Sequence, residues 1–195
     1  MTIDVNEPAK ASLAHFVIDA KASRFTVQAF ASGILSAMGH NPKIGIRTFS
    51  GEVDFNPETL EGGAFRLTVQ SASLGVQDDI SDKDRREMER LMKEDVLEVA
   101  KYPEIRYEAA AIAVSRVDGA LYSATLNGNL SLHGVTRSQA ITTRIATFDE
   151  ILRASGEFTL KQSDYQIKPL SVAGRALKLK DEVRFSFEMV ARKQE

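Results

Sequence analysis

Apolar and polar residues alternate through most of this chain, and that period of two commits a segment to a strand with one face buried and one in water. Phe25, Val27 and Ala29 alternate with Arg24, Thr26 and Gln28. Gly51, Val53 and Phe55 alternate with Glu52 and Asp54, and Phe65, Leu67 and Val69 with Arg66, Thr68 and Gln70. The rule recurs at Ile105 and Tyr107, at Leu130 and Leu132, and at Ile141 and Ile145. It returns at Phe158 and Leu160 and again at Phe185, Phe187 and Met189. A one-faced strand repeated this often predicts a sheet closed on itself, because closure buries every apolar face and leaves no edge. The expected fold is therefore mainly β: a single antiparallel eight-stranded β-barrel.

Turn signals separate the strands at Asn56-Pro57, Glu61-Gly62-Gly63, Asp118-Gly119 and Gly134. Asp118-Gly119 predicts a hairpin with a type I′ turn. Between Tyr107 and Ile112 the apolar phase slips from odd to even positions, which predicts a bulge that bends the sheet. One segment, about 81–100, reads instead as α-helix packed on the barrel. Ser81 and Asp84 resemble a capping box, and Met88, Leu91, Met92, Val96 and Leu97 form an apolar stripe beside a charged face. Tyr102-Pro103 ends it. Residues 1–14 are expected to be a flexible tail and 15–195 the barrel domain.

Composition excludes several classes of function. There is no cysteine, so disulfides, thiolate nucleophiles and cysteine metal sites are ruled out. A net charge of -2, with arginines scattered rather than interleaved with aromatics, gives no basis for nucleic-acid binding. The first residues lack a basic and apolar leader pattern, so the expected location is cytoplasmic, or periplasmic if a leader has been removed.

Catalytic signatures are equally sparse. His15, His40 and His133 show no i+3 or i+4 pairing, so no metal site is expected. No nucleophile elbow or phosphate-cradling loop occurs. The acidic run Asp78-Asp79 with Asp82 and Asp84 fits helix N-terminal charge better than a calcium loop. His133 reads as a strand-end residue, and His40, in Met38-Gly39-His40-Asn41-Pro42, as a turn residue.

Five segments carry a family resemblance. Phe49–Leu60 is similar to F-x-G-x-[IV]-x-F-[DN]-P-x-x-L, Ser71–Leu74 to a serine-leucine piece, and Tyr102–Tyr107 to Y-P-x-I-x-[FY]. Leu130-Ser131-Leu132-His133-Gly134-Val135-Thr136 resembles L-[ST]-[LI]-H-G-V-T, and Asp181-Glu182-Val183 resembles the opening of a last strand. In this order, over about 16–192, they resemble the YceI-like proteins. The resemblance implies a lipocalin-like barrel with a helix over it, a hydrophobic interior that binds polyisoprenoids or isoprenoid quinones, homodimers, and no catalytic residues or cofactor. One motif departs: the usual R-[ST]-D-[FW]-G stands here as Lys161–Gln166, and with Gln166 for glycine the turn is expected to differ.

On this reading a lipid tail would lie among Phe25, Val27, Phe55, Leu67, Val69, Ile105 and Tyr107, and among Leu130, Leu132, Phe158, Leu160, Phe185, Phe187 and Met189. His40, His133 or Tyr107 would meet its headgroup. Such a ligand starts in a membrane rather than in water, so transient membrane contact is expected. The alternatives are a protein-interaction module, a barrel-type enzyme using His40 or Asp164 on a small hydrophobic substrate, and a barrel filled by its own side chains.

Overall fold

In the computed structural model, which describes residues 13–32, 41–56, 63–172 and 177–194, the alternating segments form one antiparallel sheet. Its strands are β1 (Ala14–Ile18), β2 (Arg24–Ser32), β3 (Lys43–Ile46), β4 (Phe49–Phe55), β5 (Ala64–Gln70) and β6 (Leu74–Val76). After helix α1 (Asp82–Leu91) come β7 (Glu104–Asp118), β8 (Leu121–Leu132), β9 (Val135–Phe148), β10 (Ile151–Lys161), β11 (Ser171–Val172) and β12 (Leu177–Lys193). The ring β1-β4-β5-β7-β8-β9-β10-β12 closes where β1 pairs with β12, Phe16 opposite Lys193 and Ile18 opposite Ala191. This is the eight-stranded antiparallel barrel that the alternation predicts.

β12 is long enough to serve two neighbours on one edge. Ala191–Lys193 pair with β1, while Lys178–Glu188 pair with β2. β3 and β6 extend the sheet outward from β2. β1 begins at Ala14, within the expected tail, and the residues before Leu13 lie outside those described.

The expected bulge is present, with the β7–β8 register shifting between Ala109 and Ala111. The β7–β8 hairpin is also present, but its turn is not type I′. Asp118 pairs with Leu121, which leaves Gly119 and Ala120 in the loop, and only Gly119 has positive φ (+47°). Positive φ at both centres occurs instead at His133 (+52°) and Gly134 (+75°), the two-residue turn between β8 and β9. The alternating stretch Gly128–Thr136 is thus two strands with a turn between them.

The helix is shorter than expected. α1 ends at Leu91 and continues as a wider π-helical turn over Met92–Val96, with the Leu97 N–H donating to Met92 O at 2.9 Å. Ser81 caps it, accepting from the Asp84 N–H at 3.1 Å. Its hydroxyl donates to the Asp84 carboxylate at 2.7 Å, so the carboxylate does not reach back to the backbone as in a full capping box. Docking to β6 is polar at the rim: Glu89 accepts from the Val76 N–H, and Arg85 donates to the carbonyls of Val76 and Asp78.

Candidate binding cavity

Inward positions of neighbouring strands meet in register and build the interior layer by layer. Between β10 and β12, Ala154 faces Met189, Phe158 faces Phe185 and Leu160 faces Val183. β2 extends the layer, with Phe25 against Phe187 and Val27 against Phe185. Across the ring, Val69 of β5 faces Ile105 and Leu67 faces Tyr107, which itself faces Leu130 of β8. Aromatic rings fill much of the resulting space. Phe25 meets Phe49 edge-on at 4.7 Å and stacks on Phe187 at 6.1 Å, and Phe158 stacks on Phe185 at 5.0 Å.

Two adjoining apolar cavities of about 90 and 100 Å³ remain. The first lies at the barrel centre, walled by Phe25, Phe55, Leu67, Val69, Ile105 and Tyr107 on one side. Leu130, Phe158, Phe185, Phe187 and Met189 complete it. The second lies beneath α1, where Val27, Leu132 and Leu160 meet Met88, Met92, Val96 and Leu97. Leu74, Ile105 and Phe185 border both. Every residue expected to face the interior therefore lines one cavity or the other. Of the helical stripe, Met88, Met92, Val96 and Leu97 face the second cavity, the π turn Met92–Val96 supplying two of them, whereas Leu91 lines neither cavity.

Polar side chains in the walls are few, and the buried ones are occupied. Thr143 Oγ1 donates to Ser155 O at 3.0 Å, and Gln162 Nε2 donates to Lys180 O at 3.0 Å. Ser186 and Tyr107 are further polar residues at the central cavity. The Tyr107 hydroxyl lies 3.0 Å from Leu126 O and 2.9 Å from Gln139 O, where it donates to backbone rather than toward a headgroup. Burial pushes its phenol up to about 12. Gly128 makes room for it, since a Cβ there would sit 2.7 Å from the Tyr107 oxygen.

Of the expected headgroup contacts, Tyr107 lines the central cavity, whereas His133 does not reach either cavity. His133 is buried at the β8–β9 turn, with Nδ1 against Tyr165 O at 3.2 Å, Nε2 against Glu98 Oε2 at 2.8 Å and its ring 4.4 Å from that of Tyr102. It lines neither cavity and fastens the turn. His40 lies outside the described residues. Asp164 is on the surface in an ion pair with Arg137 at 3.1 Å. Among the described residues no buried side-chain nitrogen or oxygen lacks a partner, and no cluster of potential metal ligands occurs.

Gln166 keeps the conformation that its motif predicts for glycine. Its φ is +58°, and it ends the 3-10 turn Gln162–Tyr165 in the left-handed region. Asp181 accepts from the Ser163 N–H at 2.8 Å and from its hydroxyl at 2.6 Å, and these bonds hold the start of the turn. They also hold the Asp181 carboxyl below its usual range.

The sequence reading missed wall residues on β3 and β6, among them Ile44, Ile46, Leu74 and Val76. Ile44-Gly45-Ile46 and Leu74-Gly75-Val76 do alternate, but three residues are too few to separate a strand from a loop.

This architecture has relatives of known structure. Burkholderia cenocepacia BcnA is similar at 20% identity and a TM-score of 0.67, over 89% of this chain and 98% of that one. A polyisoprenoid-binding domain from Saccharophagus degradans, implicated in plant cell wall breakdown, is similar at 14% identity and a TM-score of 0.66, over 93% and 99%. The Campylobacter jejuni YceI protein is similar at 20% identity and a TM-score of 0.60, over 80% and 87%. At these identities the likeness is one of fold. No curated protein matches this chain in sequence. The YceI-like domain model matches residues 7–191, which include every strand of the closed ring except the last two residues of β12, and the chain belongs to the YceI-like family.

Proposed function

We propose that this protein binds a long-chain amphiphilic lipid, a polyisoprenoid or isoprenoid quinone, by burying its tail in the barrel, and serves to carry or store it. The observation that carries this reading is the interior itself: two adjoining cavities with largely hydrocarbon walls, in which Thr143, Ser186, Gln162 and the Tyr107 hydroxyl are the polar lining among the described residues. A dry cavity of roughly 150 Å³ takes up a molecule the size of benzene, so about 90 Å³ receives only a few carbons. A longer tail enters by displacing rings, and Phe158, Phe185 and Phe187 are the half-buried aromatics of the central cavity wall. The description of the Saccharophagus degradans relative as polyisoprenoid-binding supports the ligand class.

Binding is favoured over catalysis because, among the described residues, the buried polar groups of the wall, Thr143 and Gln162, are bonded to backbone carbonyls and no histidine or carboxylate lines either cavity. Solvent extraction of the purified protein followed by mass spectrometry, beside a delipidated sample, tests the proposal. A stoichiometric isoprenoid or quinone is the expected result. Neither bound lipid nor uptake of added isoprenoid would mean that the barrel is filled by its own side chains.

A further inference from the structure

The barrel wall has a partial opening along one side. β9 and β10 pair from Phe148 and Ile151 only as far as Thr143 and Gly156. Beyond that point, Val135–Thr142 pair with β8 alone and Glu157–Lys161 with β12 alone. At ~3.3 Å per residue the unpaired run Glu157–Lys161 is about 16 Å long. The chains are packed closely just before they part, since a Cβ on Gly156 would lie 2.7 Å from Thr142 O and 2.9 Å from the Phe187 ring.

Side-chain character changes at the same place. The inward positions Ile145, Thr143 and Ile141 of β9 are buried, whereas Gln139 is half-buried and Arg137 exposed. On the facing lip, Phe158 points inward yet is only half-buried, backed by its stacking partner Phe185. Both phenylalanines and Ile141 line the central cavity directly behind the seam. Outside it lies a polar groove that shares Thr143, Ser186 and Phe187 with that cavity and balances Arg24 and Arg144 against Glu157 and Glu188.

A short strap crosses the far end. The 3-10 turn Gln162–Tyr165 is tied to β12 through Ser163 and Asp181, to the β8–β9 turn through Tyr165 O and His133, and to β9 through the Asp164–Arg137 ion pair. The last of these is the exposed one, with both side chains about half accessible. We infer that the β9–β10 seam is a lateral portal for the lipid tail, and that the strap, latched by Arg137 and Asp164, limits its opening. The inference rests on the lipid-binding reading above. The groove suits the polar end of an uncharged amphiphile while the tail passes between the lips.

Uptake of dansyl-labelled geranylgeraniol from phosphatidylcholine vesicles, followed by dansyl emission on the full chain, tests it. The wild type comes first: no uptake by any route sinks the lipid-binding reading itself. Because the chain has no cysteine, Ala140→Cys with Thr159→Cys can be bridged across the seam by a reducible bis-maleimide. Arg153→Cys with Ala146→Cys, a directly opposed pair on the same two strands, is the control. Bridging the seam is expected to slow uptake at least about tenfold, relative to the steric demands of a long tail, with recovery on reduction and no effect in the control. Uptake at the wild-type rate through a bridged seam would overturn the portal. Independently of any bridge, Arg137→Ala and Asp164→Asn are expected to speed both uptake and release roughly two- to fivefold with Kd unchanged, as befits loss of an exposed ion pair. Unchanged rates in both would overturn the latch.

Discussion

Two residues hold unusual positions whose effects can be read in isolation. Gln166 sits at φ +58°, where an L side chain costs roughly 1–2 kcal/mol relative to glycine. It is exposed, so Gln166→Gly removes no packing and is expected to stabilise the protein by about 0.5–1 kcal/mol in urea titrations. Tyr107 is 3% exposed, and its buried phenol is pushed up to about 12. The unfolded phenol titrates near ~10, so the protonated Tyr107 supports the folded state fully below that pH. This support is lost as pH rises through about 12. Tyr107→Phe is expected to cost about 1 kcal/mol at neutral pH through the lost hydrogen bond, and to flatten the alkaline loss of stability. Tyr165 is also raised by burial, so the difference between variant and parent across the alkaline range is the informative quantity. An unchanged alkaline slope would show that Tyr107 does not drive it.

At the scale of elements, α1 is held by its ends and its rim more than by its own propensity. None of its residues is fully buried, and burial begins at Met92 in the π turn that follows. Loss of the cap in Ser81→Ala is expected to cost about 1 kcal/mol. Hydrogen exchange should show that loss in Asp82–Leu91 while the amides of β7 and β8 stay protected, because the helix opens without the barrel. Equal loss of protection in β7 would mean that the helix and barrel unfold as one unit. The hairpins teach a related lesson. Asp-Gly predicts the β7–β8 turn from residue preference, but strand register places Gly119 and Ala120 in the loop. The type I′ geometry falls to His133 and Gly134, whose His133 tolerates positive φ because Tyr165 and Glu98 hold both sides of its ring.

For the whole molecule, the apolar interior is both the core and the proposed binding space, so a single change there tests both. Phe187 lies opposite Phe25 on one side and Gly156 on the other, at the wall of the central cavity. Phe187→Glu places a carboxylate at the hydrocarbon wall of the central cavity and is expected to abolish isoprenoid uptake. Since Phe187 is only half-buried, the variant should still fold, which circular dichroism can check. Retained uptake in a folded Phe187→Glu protein would remove the interior as the binding space. Conversely, a ligand that binds only the folded chain is expected to raise Tm with concentration, by RT ln(1 + [L]/Kd) in stability.

Much of this was legible in the sequence for a simple reason: side-chain direction in a strand is set by parity, so Phe25, Phe55, Leu67, Tyr107, Leu132 and Phe187 declare their face without any knowledge of their neighbours. The barrel, its bulge at Ala109–Ala111 and the walls that β2, β4, β5, β7, β8, β10 and β12 give the cavities follow from that local rule, whereas the short β3 and β6 do not declare theirs. What parity does not carry is which strands meet and for how far. The pairing of β12 with both β1 and β2, the parting of β9 from β10 at Thr143 and Gly156, and the binding of Tyr107 and His133 to distant backbone oxygens all depend on contacts far apart in the chain. Tertiary structure alone decided those, because register and ring closure are properties of strand pairs, and no single strand encodes its partner.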